Sequence, residues 1–122
     1  MHGAKNFPLK KESSDLDIEL PDNMEDAAYL KILREYLPRL IDLVQPDFMF
    51  YLAGVDVLQS DKLGRISLTK QGCKERDSIV LKAAKQNNIP IQVSMGGGYS
   101  EQIKDIIDAH ANTFRLAQDI YF

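Results

Sequence analysis

The sequence predicts a small α/β domain with parallel strands. Two apolar runs, residues 48–53 and 89–95, have the length of buried strands, and each ends in a loop. Helical patterns precede, separate and follow these runs, so the predicted order is helix, strand, helix, strand, helix. Strands joined through a helix lie parallel in one sheet. Because two strands make a thin sheet, we expect at least one hydrophobic edge to be unpaired.

The first 22 residues carry little periodicity. Prolines and charges predict a loop over residues 3–22, within which residues 16–20 alternate as a short strand does. Asp22 and Glu25 have capping-box spacing and predict the start of the first helix. Its apolar stripe reaches Val44, and Pro38 lies inside it, so we expect a kink or a restart there.

The α/β unit is predicted to continue from this helix over residues 23–122. Residues 48–53 are apolar without a break, as in a strand covered on both faces. Thr69 is predicted to cap a second helix that ends near Gln86, and Ser100 is predicted to cap a third. The third helix carries an apolar stripe that we expect to face the core: Ile103, Ile107, His110, Phe114 and Ala117.

Composition limits the class of protein. The chain has 122 residues, 44% of them hydrophobic, and a net charge of −3, which fits a single domain over residues 1–122. Apolar runs are too short for a membrane span, and dispersed basic residues give no case for direct nucleic-acid binding. The single cysteine, Cys73, suits a reducing cytoplasm. It lies in the first turn of the second predicted helix, which would lower its pKa, but it faces inward and is not expected to be a nucleophile.

Polar groups follow both predicted strands, at the edge where open α/β sheets place their chemistry. Asp56 follows the first strand and is either a metal ligand or a carboxylate that caps a turn. Tyr99 follows three glycines after the second strand. Those glycines allow close approach of a substrate, make a flexible turn, or bind phosphate at a helix N-terminus. The phosphate alternative is disfavoured because no P-loop lysine is present.

Four phrases along the chain resemble the zinc-dependent histone deacetylase family, most closely its class IV branch and the bacterial acetoin-utilisation-type deacetylases. They are His2–Pro8, Ala53–Leu58, Asp61–Thr69 and Met95–Ser100. The resemblance implies a three-layer α/β/α arrangement with parallel strands, which here would be an incomplete arginase/deacetylase-type sheet. A complete domain of that family is much longer, so we expect this chain to correspond to its C-terminal portion.

The resemblance also implies roles for individual residues. Asp56 matches the second aspartate of the family's zinc site, and Tyr99 matches the tyrosine that stabilises the oxyanion. Gly97 and Gly98 would let the backbone approach the substrate. Leu63 matches a position lining the acyl-lysine tunnel and Phe7 its aromatic wall, although both also read as exposed loop residues. The implied reaction is removal of an acetyl group from acyl-lysine or a small acetylated amine. Asp61, near Leu63, is expected to be structural rather than catalytic.

The histidines of the family are not found in this sequence. The resemblance calls for two adjacent histidines and an Asp-x-His pair, whereas the chain has only His2 and His110. Asp108 and His110 do spell Asp-x-His, but on a helix they lie about 200° apart and cannot share one ion. We expect His110 to be a core histidine with one satisfied nitrogen, and His2 not to be a metal ligand.

Two functional hypotheses follow. In the first, zinc serves the intact family but is not bound stably by this chain alone, and the isolated chain is inactive. In the second, the chain is a non-catalytic interaction module whose unpaired edge forms a homo-oligomer or complements a separate N-terminal segment. No direct nucleic-acid or membrane partner is expected.

Overall fold

The computed structural model describes residues 1–122 and contains two small parallel sheets and three helices. In chain order the elements are β1 (His2–Gly3), β2 (Glu19–Leu20), α1 (Asp26–Val44), β3 (Met49–Gly54), α2 (Lys70–Gln86), β4 (Ile91–Gly96) and α3 (Ile103–Tyr121). Strands β1 and β2 pair in parallel, as do β3 and β4. The predicted α/β class with parallel strands is confirmed.

Strands β3 and β4 bring two loops to one edge. Their register runs from Met49 opposite Ile91 to Gly54 opposite Gly96, so both strands end at the same level. Helix α2 makes the connection between them. The segments after Gly54 and Gly96 are therefore neighbours, as the parallel topology requires.

One face of the sheet formed by β3 and β4 is largely exposed at β3. Tyr51 and Ala53 point toward the helices, whereas Phe50 is 79% exposed and Leu52 is 70% exposed. Alternate residues of a strand point to opposite faces, so β3 is covered on one face only. The prediction that both faces of this strand are covered is wrong, because Phe50 and Leu52 on the second face are largely exposed.

Helix α1 differs from its prediction at the start and in the middle. Glu25 is the N-cap and makes no side-chain hydrogen bond there, and Asp22 instead forms an ion pair with Arg65 at 3.3 Å. The predicted capping box is therefore wrong. The helix runs through Pro38 without a break, so the predicted restart does not occur.

Helix α2 begins where the sequence predicts. The Thr69 hydroxyl accepts a hydrogen bond from the Gly72 backbone N–H at 2.9 Å, which confirms the predicted cap. The carboxylate of Asp26 accepts from both the backbone N–H and the hydroxyl of Thr69, at 2.9 and 2.6 Å. The first turns of α1 and α2 are therefore joined by side-chain hydrogen bonds.

Helix α3 faces the core with its small residues. Ala109 and Thr113 are buried, whereas Ile103, Ile107 and Phe114 are exposed. The predicted inward stripe is wrong at Ile103, Ile107 and Phe114, whereas His110 and Ala117 are half-buried. The buried Thr113 instead faces α2, where its hydroxyl donates to Asp77 at 2.7 Å. Ser100 does not cap this helix, which begins at Ile103 after the N-cap residue Gln102.

His110 also departs from its prediction. The side chain is half-buried, and its Nδ1 is buried without a hydrogen-bond partner. The expected satisfied nitrogen is therefore not found at Nδ1.

The core is divided into two clusters of buried side chains. The larger one joins α1, α2 and the β2 region through Leu20, Tyr29, Leu30, Leu33, Ile66, Leu68 and Val80. The smaller one lies beneath the strand ends and contains Val55, Leu58, Cys73 and Ala109. Only 21 of 122 residues are buried, so many large apolar side chains stay on the surface. None of the helices has the length and apolar character needed to cross a membrane.

Candidate active site

Asp56 lies at the end of the parallel pair, held against a glycine. The ladder extends one residue beyond β3, where the Val55 N–H donates to the Gly96 carbonyl at 2.9 Å. Gly97 follows with φ +62°, and a Cβ there would lie 2.8 Å from Cβ and 3.0 Å from Oδ1 of Asp56. Only glycine accommodates both this backbone conformation and this contact. The Asp56 side chain therefore lies across the end of β4.

Gly98 continues the turn from β4 toward α3. Its φ is +113°, and a Cβ there would lie 2.8 Å from a methyl of Ile106 and 3.1 Å from one of Val55. Tyr99 comes next and is 56% exposed. The two glycines thus allow α3 to approach the strand ends while Tyr99 stays at the surface.

Asp61 joins the loop after β3 to Tyr99. Its Oδ2 accepts a hydrogen bond from the Tyr99 backbone N–H at 2.6 Å. Its Oδ1 accepts from the backbone N–H groups of Leu63, at 2.9 Å, and Gly64, at 2.7 Å. The expected structural role of Asp61 is confirmed. Two of the predicted site residues, Tyr99 and Leu63, are bound to this one carboxylate.

Further contacts join the same two segments. The Lys62 N–H donates to the Tyr99 carbonyl at 3.4 Å, and the hydroxyls of Ser60 and Ser100 lie 2.8 Å apart. Lys62 also forms an ion pair with Glu101 at 3.2 Å. Residues 60–64 and 99–101 are therefore joined at the end of the sheet by several hydrogen bonds and one ion pair.

Leu63 and Phe7 do not share a cavity. Phe7 is 93% exposed and lines a cavity of about 430 Å³ together with Asp56, His2 and Arg76. Leu63 is 65% exposed and borders a separate cavity of about 490 Å³. The structure thus brings Phe7 to the cavity of Asp56 but places Leu63 at a different cavity.

Arg76, on helix α2, contacts the end of strand β3, and no role was predicted for it from the sequence. Its Nη1 donates to the Gly54 carbonyl at 2.6 Å, and its Nε donates to Asp77 at 2.9 Å. Asp77 also accepts from the hydroxyls of Tyr51 and Thr113. Buried charges are tolerated when they are paired in this way. The network fixes the carbonyl two residues before Asp56.

A signal for this network is present in the sequence. Arg76 lies three residues after Cys73 and four before Val80, on the inward stripe of α2. A charged residue at an inward position predicts a buried partner. Burial also raises the pKa of Tyr51, so its phenol stays protonated and donates to Asp77.

For Cys73, burial has the opposite effect on the thiol to the one expected from its place near a helix N-terminus. Burial raises the pKa of its thiol to about 11, so the expectation of a lowered pKa is wrong. Desolvation of the thiolate outweighs the helix N-terminus because the side chain lies in the core.

The donor set at the strand end is too small for a catalytic metal. Asp56 provides one carboxylate, and no group of three or more His, Cys, Asp or Glu side chains is arranged to hold a metal ion. The carboxylate of Asp61 is already bound to three backbone N–H groups. Because catalytic zinc takes about three protein ligands, it does not fit the residues of this chain alone.

The fold and this edge define a class: parallel α/β domains whose site lies at the carboxyl ends of adjacent strands. Residues 2–114 match the histone deacetylase domain family, and the chain belongs to that family. An uncharacterized protein of Picosynechococcus sp. is 40% identical over 121 residues, which are 99% of this chain and 40% of that protein. Histone deacetylase 2 of Arabidopsis thaliana is 31% identical over 93 residues, 76% of this chain and 24% of that protein.

Solved structures agree on the fold. Acetylpolyamine aminohydrolase from Burkholderia pseudomallei superposes with a TM-score of 0.78 and 17% identity, over 98% of this chain and 36% of that one. The HDA15 HD domain gives a TM-score of 0.73, also at 17% identity, over 96% of this chain and 36% of that one. The predicted fold, an incomplete arginase/deacetylase-type sheet, is confirmed. The chain spans about 40% or less of the length of these relatives.

Proposed function

We propose that this chain provides part of the active site of an amidohydrolase that removes an acetyl group from acyl-lysine or a small acetylated amine. The observation that carries the proposal is the joining of Asp56 and Tyr99 at adjacent strand ends, through Gly97 and Asp61. In this role the Tyr99 hydroxyl donates a hydrogen bond to the acetyl carbonyl oxygen. The same bond strengthens as that oxygen becomes an oxyanion, which lowers the barrier.

The substrate class rests on the relatives and on two exposed apolar side chains. One relative is named a histone deacetylase and one solved neighbour an acetylpolyamine aminohydrolase, and both names describe acetylated amines. Phe7 and Leu63 are both exposed, Phe7 at the cavity that contains Asp56 and Leu63 at a separate cavity. We propose that they contact the aliphatic stem that joins the acetylated nitrogen to the rest of the substrate.

We also propose that the site is completed from outside this chain. The family's zinc would take Asp56 as one ligand and its other ligands from another polypeptide segment, because this chain supplies only one suitable donor. The general acid and base of the reaction would come from the same source. By itself the 122-residue chain is then expected to bind no zinc tightly and to give no turnover.

The test compares the chain alone with a completed protein. Zinc affinity is measured by calorimetry on the chain, and deacetylation is assayed with a fluorogenic acetyl-lysine peptide and with an acetylated polyamine. For completion, the chain replaces the matching 121 residues of the Picosynechococcus relative. We expect no activity in the chain alone and zinc-dependent activity in the chimaera. Tyr99→Phe should lower kcat of the chimaera about a hundredfold or more, and Asp56→Ala should abolish zinc binding.

The intact relative is the positive control. An active relative and a folded chimaera whose turnover is unaffected by both substitutions would contradict the proposal. Tight zinc binding and turnover by the chain alone would contradict the proposal that another polypeptide segment supplies the remaining zinc ligands and the general acid and base.

A second candidate function is favoured by the exposed sheet face. Phe50 and Leu52 lie exposed on β3 beside an apolar groove formed with α1. Exposed apolar patches and unpaired strand edges are sites of association. In this alternative the chain is a non-catalytic module that forms a homo-oligomer or binds a separate segment of a deacetylase domain.

A further inference from the structure

We propose that Asp61 is a positioning residue that sets Tyr99 against the loop carrying Leu63. The inference rests on the proposed function, since it concerns how the oxyanion-stabilising tyrosine is held. It assigns to Asp61 a role in turnover, although its carboxylate contacts backbone only.

The two oxygens of this carboxylate have different partners. Oδ1 accepts from the N–H groups of Leu63 and Gly64, at 2.9 and 2.7 Å, and shapes the loop that bears Leu63. Oδ2 accepts from the N–H of Tyr99 at 2.6 Å. Hydrogen bonds to a carboxylate are roughly twice as strong as neutral ones. The Asp61 side chain therefore bonds directly to both the loop that bears Leu63 and the segment that bears Tyr99.

The other contacts of the Tyr99 segment do not involve a carboxylate bound to its backbone N–H. The Lys62 N–H donates to the Tyr99 carbonyl at 3.4 Å, and the hydroxyls of Ser60 and Ser100 lie 2.8 Å apart. Three glycines precede Tyr99, so the residues before it carry no side chain that could hold its position. The Tyr99 side chain is more than half exposed. The neighbouring ion pair between Lys62 and Glu101 is also exposed, and such pairs contribute little.

The same loop is fixed to Asp56 through Gly64. A Cβ on Gly64 would lie 1.7 Å from the backbone carbonyl oxygen of Asp56, so this residue packs directly on the Asp56 backbone. Asp61 thus connects Tyr99 to a loop that already rests on Asp56. A shift of about 1 Å in a catalytic group can cost on the order of a hundredfold in rate. We therefore expect turnover to depend on Asp61.

The first test measures the hydrogen bond between the Tyr99 N–H and Asp61 and requires no enzymatic activity. Amide hydrogen exchange of the 122-residue chain is followed by NMR in the wild type, in Asp61→Asn and in Asp61→Ala. The exchange rate of the Tyr99 amide should rise about tenfold or more in Asp61→Ala, with β3 and β4 amides unchanged. Asp119→Asn, at an exposed position on α3, is the matched control and should change nothing. An unchanged Tyr99 exchange rate in Asp61→Ala would overturn the inference.

The second test asks whether Asp61 acts through Tyr99. In the chimaera described above, Asp61→Asn is combined with Tyr99→Phe in a double-mutant cycle. Asp61→Asn should lower kcat about tenfold or more in the Tyr99 protein and cause little further loss in the Tyr99→Phe background. An equal loss in both backgrounds would overturn the inference. A folded but inactive chimaera would count against the proposed function. The exchange measurement would still show whether Asp61 holds the Tyr99 backbone.

Discussion

Asp56 is placed by glycine rather than by hydrogen bonds. The Asp56 side chain lies against Gly97. Later in the same loop, Gly64 packs against the backbone carbonyl of Asp56. Both contacts exist only because no Cβ is present at either glycine. The geometry of the candidate site therefore depends on residues that carry no functional group.

Replacing Gly97 tests this dependence. Gly97→Ala would place a methyl 2.8 Å from Cβ of Asp56 and require φ +62°, so we expect a loss of about 1–3 kcal/mol in the free energy of unfolding. Urea denaturation measures the loss. Gly96→Ala is the matched control, because its φ is not positive and its Cβ would meet the end of the Leu52 side chain at 3.1 Å, with the nearest backbone atom in ordinary contact at 3.8 Å. Equal effects at the two positions would contradict the argument.

The buried thiol predicts an alkaline loss of stability. The unfolded chain loses the Cys73 proton near pH 9, whereas the folded chain holds it until the pKa of about 11. Between these values the folded state binds more protons, so the free energy of unfolding falls as pH rises. The contribution by pH 10 is about 1 kcal/mol. Urea denaturation at pH 8, 9 and 10 should show a smaller decline in Cys73→Ala than in the wild type, and identical declines would rule out this origin.

Helix α2 is the element that organises the fold. Its N-terminus is bound to α1, its middle holds the Gly54 carbonyl through Arg76, and its other face packs on α3. Because α2 connects β3 to β4, its position affects the register in which the two strands pair. Changes at the start of this helix should therefore lower stability without direct contact with Asp56 or Tyr99.

The cap of α2 provides a direct test. Thr69→Ala removes the acceptor for the Gly72 N–H and the donor to Asp26, so we expect a loss of about 1–2 kcal/mol. Thr69→Ser keeps the hydroxyl and should leave the free energy of unfolding nearly unchanged, because serine is as good an N-cap residue as threonine. Midpoints of urea unfolding compare the two variants. A serine variant as unstable as the alanine variant would show that the methyl group, not the cap, stabilises the helix.

The whole molecule exposes apolar surface on two sides. One side is the open face of β3 with its neighbouring groove, and the other is the outer stripe of α3. A single short chain with few buried residues has a small core. Association that covers these surfaces would stabilise it.

Concentration-dependent association is the corresponding prediction. We expect the apparent mass in light scattering after size exclusion to rise above 13.8 kDa as protein concentration increases. The pair Phe50→Lys and Leu52→Lys should shift the chain toward the monomer, because charges on an open strand disfavour pairing. Leu9→Lys, in an exposed loop, is the control. A wild-type monomer at every concentration would contradict the prediction.

The sequence by itself determined the two longer strands β3 and β4, helix α2 with its Thr69 cap, and the meeting of Asp56 and the Tyr99 segment at one edge. These follow from local periodicity, a single capping residue and the rule that parallel strands end together. Cytoplasmic location, zinc use and the roles of Phe7 and Leu63 stay predictions.

Tertiary structure alone decided the remaining features. It placed Ala109 and Thr113 inward on α3, buried Arg76 against Gly54, joined Asp61 to Tyr99 and raised the pKa of Cys73. Each of these depends on contacts between residues distant in the sequence, where the packing of neighbouring elements outweighs the local pattern. The helical period can show that α3 has an apolar stripe, but only its neighbours determine which face is buried.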